Sequence, residues 1–375
     1  MKVIVGLPWR LDWETTGLAR RVKECFQTLA GFDVSVNLYC LGPSFKEKNL
    51  FVQSISSLKF PRDNIFSPLL NSLAFSFRFA EKVKRKRFDV LHCFNTTSFF
   101  LSNKKYLFQT VNPTYAFISE ILEEEYPKTG KFQRRISYCK TVANLEKIEY
   151  ENAEQIIASS WLIKNNIVKY HKVDKNKITV IPAGVQPNGS KKRTITKKDF
   201  KLIVFPGSIS VMKGFKYLCE AMETIRKSFP NIILLAAGKI NQFEFEIFKD
   251  FIKKLKSKKI LVLTGFIPRE KLHTYFRMAD VCCIPSLYDD MNISLLEALT
   301  YGLPVVATPN TGFSEISKVG IEVPPKNSEA IAKAIISLLS DEKLWIKKSR
   351  EAKKVIKNYY WTEIAKKFLK TYKRL

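Results

Sequence analysis

The sequence predicts an α/β protein made of two successive doubly wound halves, and three observations carry that prediction. Short apolar runs of strand length alternate with stretches whose apolar residues recur at helical spacing, over nearly all of the 375 residues. The alternation breaks in a polar, lysine-rich stretch at about 184–200 and then starts again. The length suffices for two domains, each with its own core.

Residues 2–7 (KVIVGL) read as the first strand, followed by a loop over 8–16. Residues 17–29 carry Leu18, Val22, Phe26 and Leu29 at helical spacing, and 32–39 alternate like a strand. This is a βαβ opening. Its loop WRLDWETTG lies at the carboxyl end of the first strand, where open α/β sheets bind ligands. It has no GxGxxG pattern and is no dinucleotide fingerprint. Residues 43–66 read as irregular, with a strand near 51–55. Residues 69–86 read as a helix that ends in KVKRKR. That helix is either a core element with a cationic last turn, which the helix dipole favours, or a basic amphipathic face for an anionic membrane. Strands follow at 88–94, 106–111, 155–158 and 178–181, with helices over 132–153 and from Ser160. His92, near a strand end, reads as a core histidine.

In the second half, strands are expected at 202–205, 232–237, 260–264, 281–285 and 304–307. Helices are expected at 215–229, 243–256, 268–278, 293–301, 329–339 and 344–374, the last interrupted near Tyr360-Trp361. The most informative stretch is 281–315. There a buried strand runs into a polar loop and a helix whose cap is Asn292, with Asp289 and Asp290 before it and Glu297 inside it. The amides of Ile293, Ser294 and Leu295 are expected to lack helical partners, which makes a site for a phosphate. Flanking carboxylates suit sugar hydroxyls. Together they suggest a nucleotide-sugar site.

The apolar fraction of 46% fits a globular protein, and no run approaches a membrane span. The first residues are too short an apolar run for a signal peptide. Seven cysteines without paired spacing read as reduced core residues, which points to the cytoplasm. His92, His171 and His273 have no ligand spacing, so no metal site is expected. The net charge of +28 is spread over both halves. It is either a solvated lysine-rich surface or an attraction to nucleic acid or anionic lipid. No aromatic-basic RNA motif or helix-turn-helix accompanies it, so no nucleic-acid partner is expected.

PSLYDDMNISLLEALTYGLPVV resembles the signature of the retaining glycosyltransferases of family 4, in which two glutamates are separated by seven residues. The second falls on Glu297 and the first on Asp289. PGSISVMKG is similar to the segment that supplies a diphosphate-binding lysine, here Lys213, and includes Gly207 and Ser208. FDVLHCF, EQIIASS, ITVIPAGVQ and the final helix with Trp361 extend the resemblance over nearly the whole chain.

The resemblance implies the GT-B fold: two Rossmann-like doubly wound domains facing across a cleft. The acceptor-side domain would be 1–183, the linker 184–200, the donor domain 201–355, and 356–375 a helix crossing back. It implies transfer of a hexose, with retention, from a nucleotide-sugar (UDP- or GDP-linked) to a glycan or glycolipid hydroxyl, with no cofactor or metal. Lys213 and the Ile293, Ser294 and Leu295 amides would stabilise the leaving diphosphate, Glu297 would take the ribose, and Asp289 the transferred sugar. Phe266, in the loop 265–268, falls on the nucleobase side; Thr16, Gly17 and the more distant guess Glu14 fall on the acceptor or phosphate side. Asn112 stands where the family commonly has a histidine, Ser208 where it often has an arginine, and Asp290-Met291-Asn292 where it has Gly-Phe-Gly. An anionic cytoplasmic membrane face is a further candidate partner. The other readings are a nucleotide-sugar epimerase of the same fold and a non-catalytic basic binding protein that retains it.

Overall fold

The computed structural model describes residues 1–10, 17–56, 66–101, 106–109, 114–187 and 199–375, of which Gly17, Leu18 and 107–109 by backbone alone. It divides into two compact units, Met1–Gly184 with Trp361–Leu375, and Val185–Tyr360. Most of the expected linker, residues 188–198, lies outside the described residues.

The first unit contains β1 (Lys2–Arg10), α1 (Gly17–Ala30), β2 (Ser35–Leu41), β3 (Phe45–Glu47), β4 (Leu50–Ser54), α2 (Ser67–Val83), β5 (Val90–Phe94) and β6 (Leu107–Gln109). It continues with α3 (Tyr115–Glu125), α4 (Gly130–Asn152), β7 (Gln155–Ala158), α5 (Trp161–His171) and β8 (Ile178–Val180). Its sheet has the order β3-β4-β2-β1-β5-β6-β7-β8 and is parallel except for the edge pair β3/β4. Val3, Ile4, Val5 and Leu7 are fully buried, as a central parallel strand covered on both faces requires. β1 continues past the loop expected at residue 8: after an irregularity beyond Gly6, Arg10 pairs with Leu41. Pro8 removes one donor, and a strand tolerates that loss at an irregularity. Two further features depart from the sequence reading. Residues 45–54 form a hairpin, and YAFISEILEEE forms α3, which buries Ile121 and Leu122.

The second unit contains β9 (Lys201–Pro206), α6 (Phe215–Ser228), β10 (Ile232–Ala237), α7 (Phe245–Ser257), β11 (Leu261–Leu263), α8 (Arg269–Met278) and β12 (Val281–Ile284). Then come α9 (Ile293–Thr300), β13 (Val305–Ala307), α10 (Ile316–Val319), β14 (Gly320–Glu322), α11 (Ser328–Ser340) and α12 (Glu342–Val355). All pairings of its sheet are parallel, in the order β11-β10-β9-β12-β13-β14. The strand order reverses at β1/β5 in the first unit and at β9/β12 in the second. Such switch points open a crevice at the carboxyl ends of the strands.

α13 (Trp361–Tyr372) returns the chain to the first unit. The return starts at Trp361 instead of 356, because Ile356–Tyr359 form a 3₁₀ turn within the second unit. Trp361, Ile364, Ala365, Phe368 and Tyr372 make the apolar stripe of a helix and join Val22, Cys25, Phe26 and Leu29 of α1 in one core. The Trp361 indole donates to Glu24 (2.6 Å) and lies against Gly184, where a Cβ would stand 2.4 Å from the ring. His92 is a core residue, its Nδ1 2.7 Å from the Tyr372 hydroxyl. All seven cysteines are buried and none forms a disulfide.

Candidate functional site

In the second unit, three loops at neighbouring strand ends hold one another. The loop after β12 donates the Leu287 and Tyr288 amides to the Met212 carbonyl in the loop after β9 (2.9 and 3.2 Å). From the segment after β13, Asn310 donates its side-chain amide to the Leu287 carbonyl (2.8 Å) and accepts the Asp289 amide on its own carbonyl (2.7 Å). Lys213 ends a 3₁₀ turn whose cap, Gly214, has φ +68°. A Cβ at Gly214 would lie 1.9 Å from the Pro285 carbonyl oxygen, so glycine lets the two loops touch.

This packing brings Lys213 and Asp289, 76 residues apart, into an ion pair between Nζ and Oδ2. The same Oδ2 accepts the Asn292 side-chain amide at 2.7 Å. Asn292 caps α9 by accepting the Leu295 amide on Oδ1 at 2.8 Å. The Leu295 amide is therefore engaged, contrary to the expectation that it is open, because an asparagine cap satisfies the third amide of its helix. The amides of Ile293 and Ser294 precede the first intrahelical partner.

Glu297 sits one turn into α9 with its side chain 1% exposed. Its Oε1 is 2.8 Å from Arg269 Nε and 3.8 Å from His273 Nε2, both on α8. Arg269 Nε is also 3.2 Å from His273 Nε2. The carboxylate expected to face the ribose thus lies behind Arg269. The sequence reading missed Arg269 and His273; their i, i+4 spacing on one helix face was the available signal. Phe266, 54% exposed, stands in the loop before α8 with Lys239 Nζ 5.6 Å from its ring centre. Ser208 is exposed after β9, and the Gly207 amide is fixed to the Ala237 carbonyl (2.9 Å). Thr16, Asn112 and Glu14 lie outside the described residues, and Gly17 is the first residue of α1.

The first unit has a cavity of about 320 Å³ at its own switch point, lined among others by Trp9, Arg10, Asn95, Tyr115, Glu146 and Glu149. The two glutamates stand three residues apart on α4. Glu149 accepts the Thr96 amide (2.6 Å) and the Ser98 amide and hydroxyl (3.3 and 2.6 Å), which pins the loop after β5. Glu146 accepts the Tyr115 amide at the start of α3 (2.8 Å) and lies 3.7 Å from His171 Nε2. No sequence motif had marked this pair.

Burial pushes the Glu149 carboxyl up to about 7 despite those hydrogen bonds, and lifts Glu146 well above the usual range. Burial lowers His171 to about 4. Between pH 4.5 and about 7 folded Glu149 keeps a proton that the unfolded chain has released, so its contribution to stability falls as pH rises. His171 acts with the opposite sign between about 4 and 6.5, where the unfolded chain binds the extra proton. Above pH 6.5 the carboxyls alone remain of these three groups. The thermal midpoint is therefore expected to fall from pH 6.5 to 8, and Glu149→Gln to flatten the fall. A midpoint that climbs over that interval in the unaltered protein contradicts the assignment.

Comparison with known proteins agrees with this architecture. The family model described as Glycosyltransferase Family 4 matches residues 15–188, and the one described as Glycosyl transferases group 1 matches 188–359. The chain belongs to the group 1, family 4 glycosyltransferases. An uncharacterized glycosyltransferase of Methanocaldococcus jannaschii is 28% identical over 397 residues, covering 99% of this chain and 95% of the relative. A putative glycosyltransferase of Bacillus subtilis is 23% identical, covering 78% and 74%. Among solved structures, sucrose-phosphate synthase from Thermosynechococcus elongatus superposes with a TM-score of 0.81 at 19% identity, over 100% of this glycosyltransferase and 98% of that chain. An Anabaena protein in complex with UDP and glucose superposes at 0.69 with 16% identity, over the full length of both. These likenesses show that the fold is GT-B. Among the described residues, no helix is long and apolar enough to cross a membrane, and no group of three His, Cys, Asp or Glu is placed to hold a metal ion.

Proposed function

We propose that this glycosyltransferase takes a hexose from a nucleoside diphosphate donor, UDP- or GDP-linked, held on the loops after β9 and β12. The observation that carries the reading is the Lys213–Asp289–Asn292 network at the start of α9. A diphosphate set there meets the Lys213 ammonium and the Ile293 and Ser294 amides, which offset the charge that grows as the nucleotide leaves. Lys213 then exchanges Asp289 for phosphate oxygens, and the Asp289 carboxylate accepts hydrogen bonds from the transferred sugar. Asp289 is held by Lys213 and Asn292 as an acceptor and not aimed as a nucleophile, which suits retention by attack on the face that the nucleotide leaves. The cation is a side chain, so the reading needs no metal. The acceptor hydroxyl, on a glycan or glycolipid, falls to the first unit, where the cavity beside Trp9 and Tyr115 offers aromatic faces and polar groups for a sugar ring.

A lipid-linked acceptor also fits α2. Phe77 is 57% exposed, meets Phe100 edge-to-face at 5.8 Å, and precedes a cationic stretch, Lys82 to Arg87. Co-sedimentation with anionic vesicles at low salt is expected and should weaken in Phe77→Ser; equal recovery of both with the vesicles removes the contact.

The donor reading is tested by incubating the protein with UDP-, GDP- and ADP-linked hexoses and following nucleoside diphosphate release by mass spectrometry. Release from one donor, lost in Lys213→Ala, supports it. Isomerised donor without transfer points to an epimerase. Absence of both turnover and binding with every donor overturns the proposal.

A further inference from the structure

Glu146 is a buried carboxyl with one oxygen unused. It stands on α4, 6% exposed, and lines the cavity of the first unit together with Trp9, Asn95 and Tyr115. Its Oε2 accepts the Tyr115 amide at 2.8 Å. Among the described residues no hydrogen bond reaches Oε1, and that oxygen is not one of the polar atoms sealed inside the protein. An oxygen that is neither bonded nor sealed, on a residue that lines a cavity, opens on that cavity.

Scaffolding does not account for this group. Holding the Tyr115 amide needs one acceptor oxygen, which a glutamine supplies without burying an ionisable group. Nor is the carboxyl there to pair with a cation. His171 Nε2 lies 3.7 Å from Oε2, but burial pushes the imidazole down to about 4, so it is neutral near pH 7. Burial lifts Glu146 well above the usual carboxylate range and favours its protonated form. Because Oε2 faces an N–H, the proton belongs on Oε1, which can then donate as well as accept.

Glu149, one turn further along α4, makes the contrast. Both of its oxygens are engaged, by the Thr96 amide and by the amide and hydroxyl of Ser98. They hold Thr96 at φ +47°; of the six described non-glycine residues with positive φ, it alone is buried and β-branched, and such a conformation persists only where its surroundings impose it. Two parts of the lining, at Thr96 and at Tyr115, are thus fixed from one helix. Of the two carboxyls only Glu146 keeps an oxygen for a ligand. With Trp9, Tyr115 and Tyr138 offering aromatic faces and Asn71 and Asn95 offering amides, the lining suits a ring that carries hydroxyls.

We propose that Glu146 is an acceptor-binding residue, whose Oε1 makes a hydrogen bond with a hydroxyl of a sugar ring held in this cavity. The inference rests on the acceptor reading above and names the atom that the sugar meets.

The test uses the full-length protein and saturation-transfer NMR with the methyl glycosides of glucose, galactose, mannose and N-acetylglucosamine, with and without UDP and GDP. The glycoside that binds is then titrated beside its single-deoxy forms against the unaltered protein, Glu146→Gln and Glu146→Met. One deoxy position should cost the unaltered protein about tenfold in affinity. Glu146→Gln still accepts the Tyr115 amide and turns an N–H to the cavity, so it should keep most of the affinity. Glu146→Met should lose about tenfold and make that one deoxy position silent, while the other positions keep their costs. A structural role would weaken all the glycosides alike and leave every deoxy penalty in place, and that result overturns the proposal. Infrared difference spectra do not depend on the methionine variant folding. Adding the glycoside should shift a protonated-carboxyl C=O band of the unaltered protein, and Glu146→Gln should lack that shift. No shift, or one that persists in Glu146→Gln, overturns the proposal. Failure of every glycoside to bind the unaltered protein overturns the acceptor reading and this inference together, whereas donor release is read separately without any acceptor.

Discussion

Replacing Lys213 by alanine is expected to lower kcat/KM by about 10²- to 10³-fold, the usual loss when one preorganised group facing a developing anion is removed. The lysine reaches into the site from a turn locked by three contacts: the Gly214 cap, the Met212 carbonyl under Leu287 and Tyr288, and the Glu244 carboxylate on the Val211 amide (2.8 Å). Its placement is built into the scaffold, so the loss should appear mainly in kcat, with the thermal midpoint nearly unchanged. Lys213→Arg keeps the charge but brings a wider planar group to a site fitted to an ammonium, and is expected to recover only part of the rate. Steady-state kinetics of the two variants on the active donor, beside a thermal melt, checks this. A Lys213→Ala enzyme within twofold of the parent would remove the lysine from the mechanism.

Gly214→Ala is expected to be severe for a different reason. The added Cβ would stand 1.9 Å from the Pro285 carbonyl oxygen, a backbone atom that cannot swing aside, at a φ of +68° that L residues adopt at a cost. Strain of about 1–2 kcal/mol from the left-handed conformation adds to about 1–3 kcal/mol from overpacking. Relief requires the loop after β9 to withdraw from the loop after β12, which also parts Lys213 from Asp289. Stability should fall by about 2–5 kcal/mol, and activity by more than in Lys213→Ala when both are measured below the melt. Denaturant titration gives the first quantity. A variant as stable and active as the parent contradicts the close approach.

The doubly wound fold was legible in the sequence because buried parallel strands such as VCCI and IILLAA are continuous apolar runs and their helices are amphipathic. What escaped was local. Pro8 read as a strand end, although an irregularity lets β1 reach Arg10. The hairpin at 45–54 is too short for periodicity to mark it. In the site, the resemblance singled out Lys213 and Asp289, which the fold brings into an ion pair, and Glu297, which lies on α9. The burial of Glu297 was also readable in hindsight, since Leu295, Leu296, Ala298 and Leu299 around it leave α9 no solvated face. Its partner Arg269 was not. The pair joins two helices across 28 positions, and periodicity within one element carries no information about contacts between elements. The same limit hid the Glu146–Glu149 pair, whose partners come from the loops after β5 and before α3.

In the proposed donor site the diphosphate is the part of the donor that is held, with Lys213 as its cation. Calorimetric titration of a nucleoside diphosphate against the matching monophosphate, in the unaltered protein and in Lys213→Ala, tests that most directly. The diphosphate is expected to bind at least about tenfold more tightly to the unaltered protein, as one charge-assisted contact provides, and Lys213→Ala to erase the difference. Equal affinities in the unaltered protein, or a preference untouched by Lys213→Ala, would contradict it.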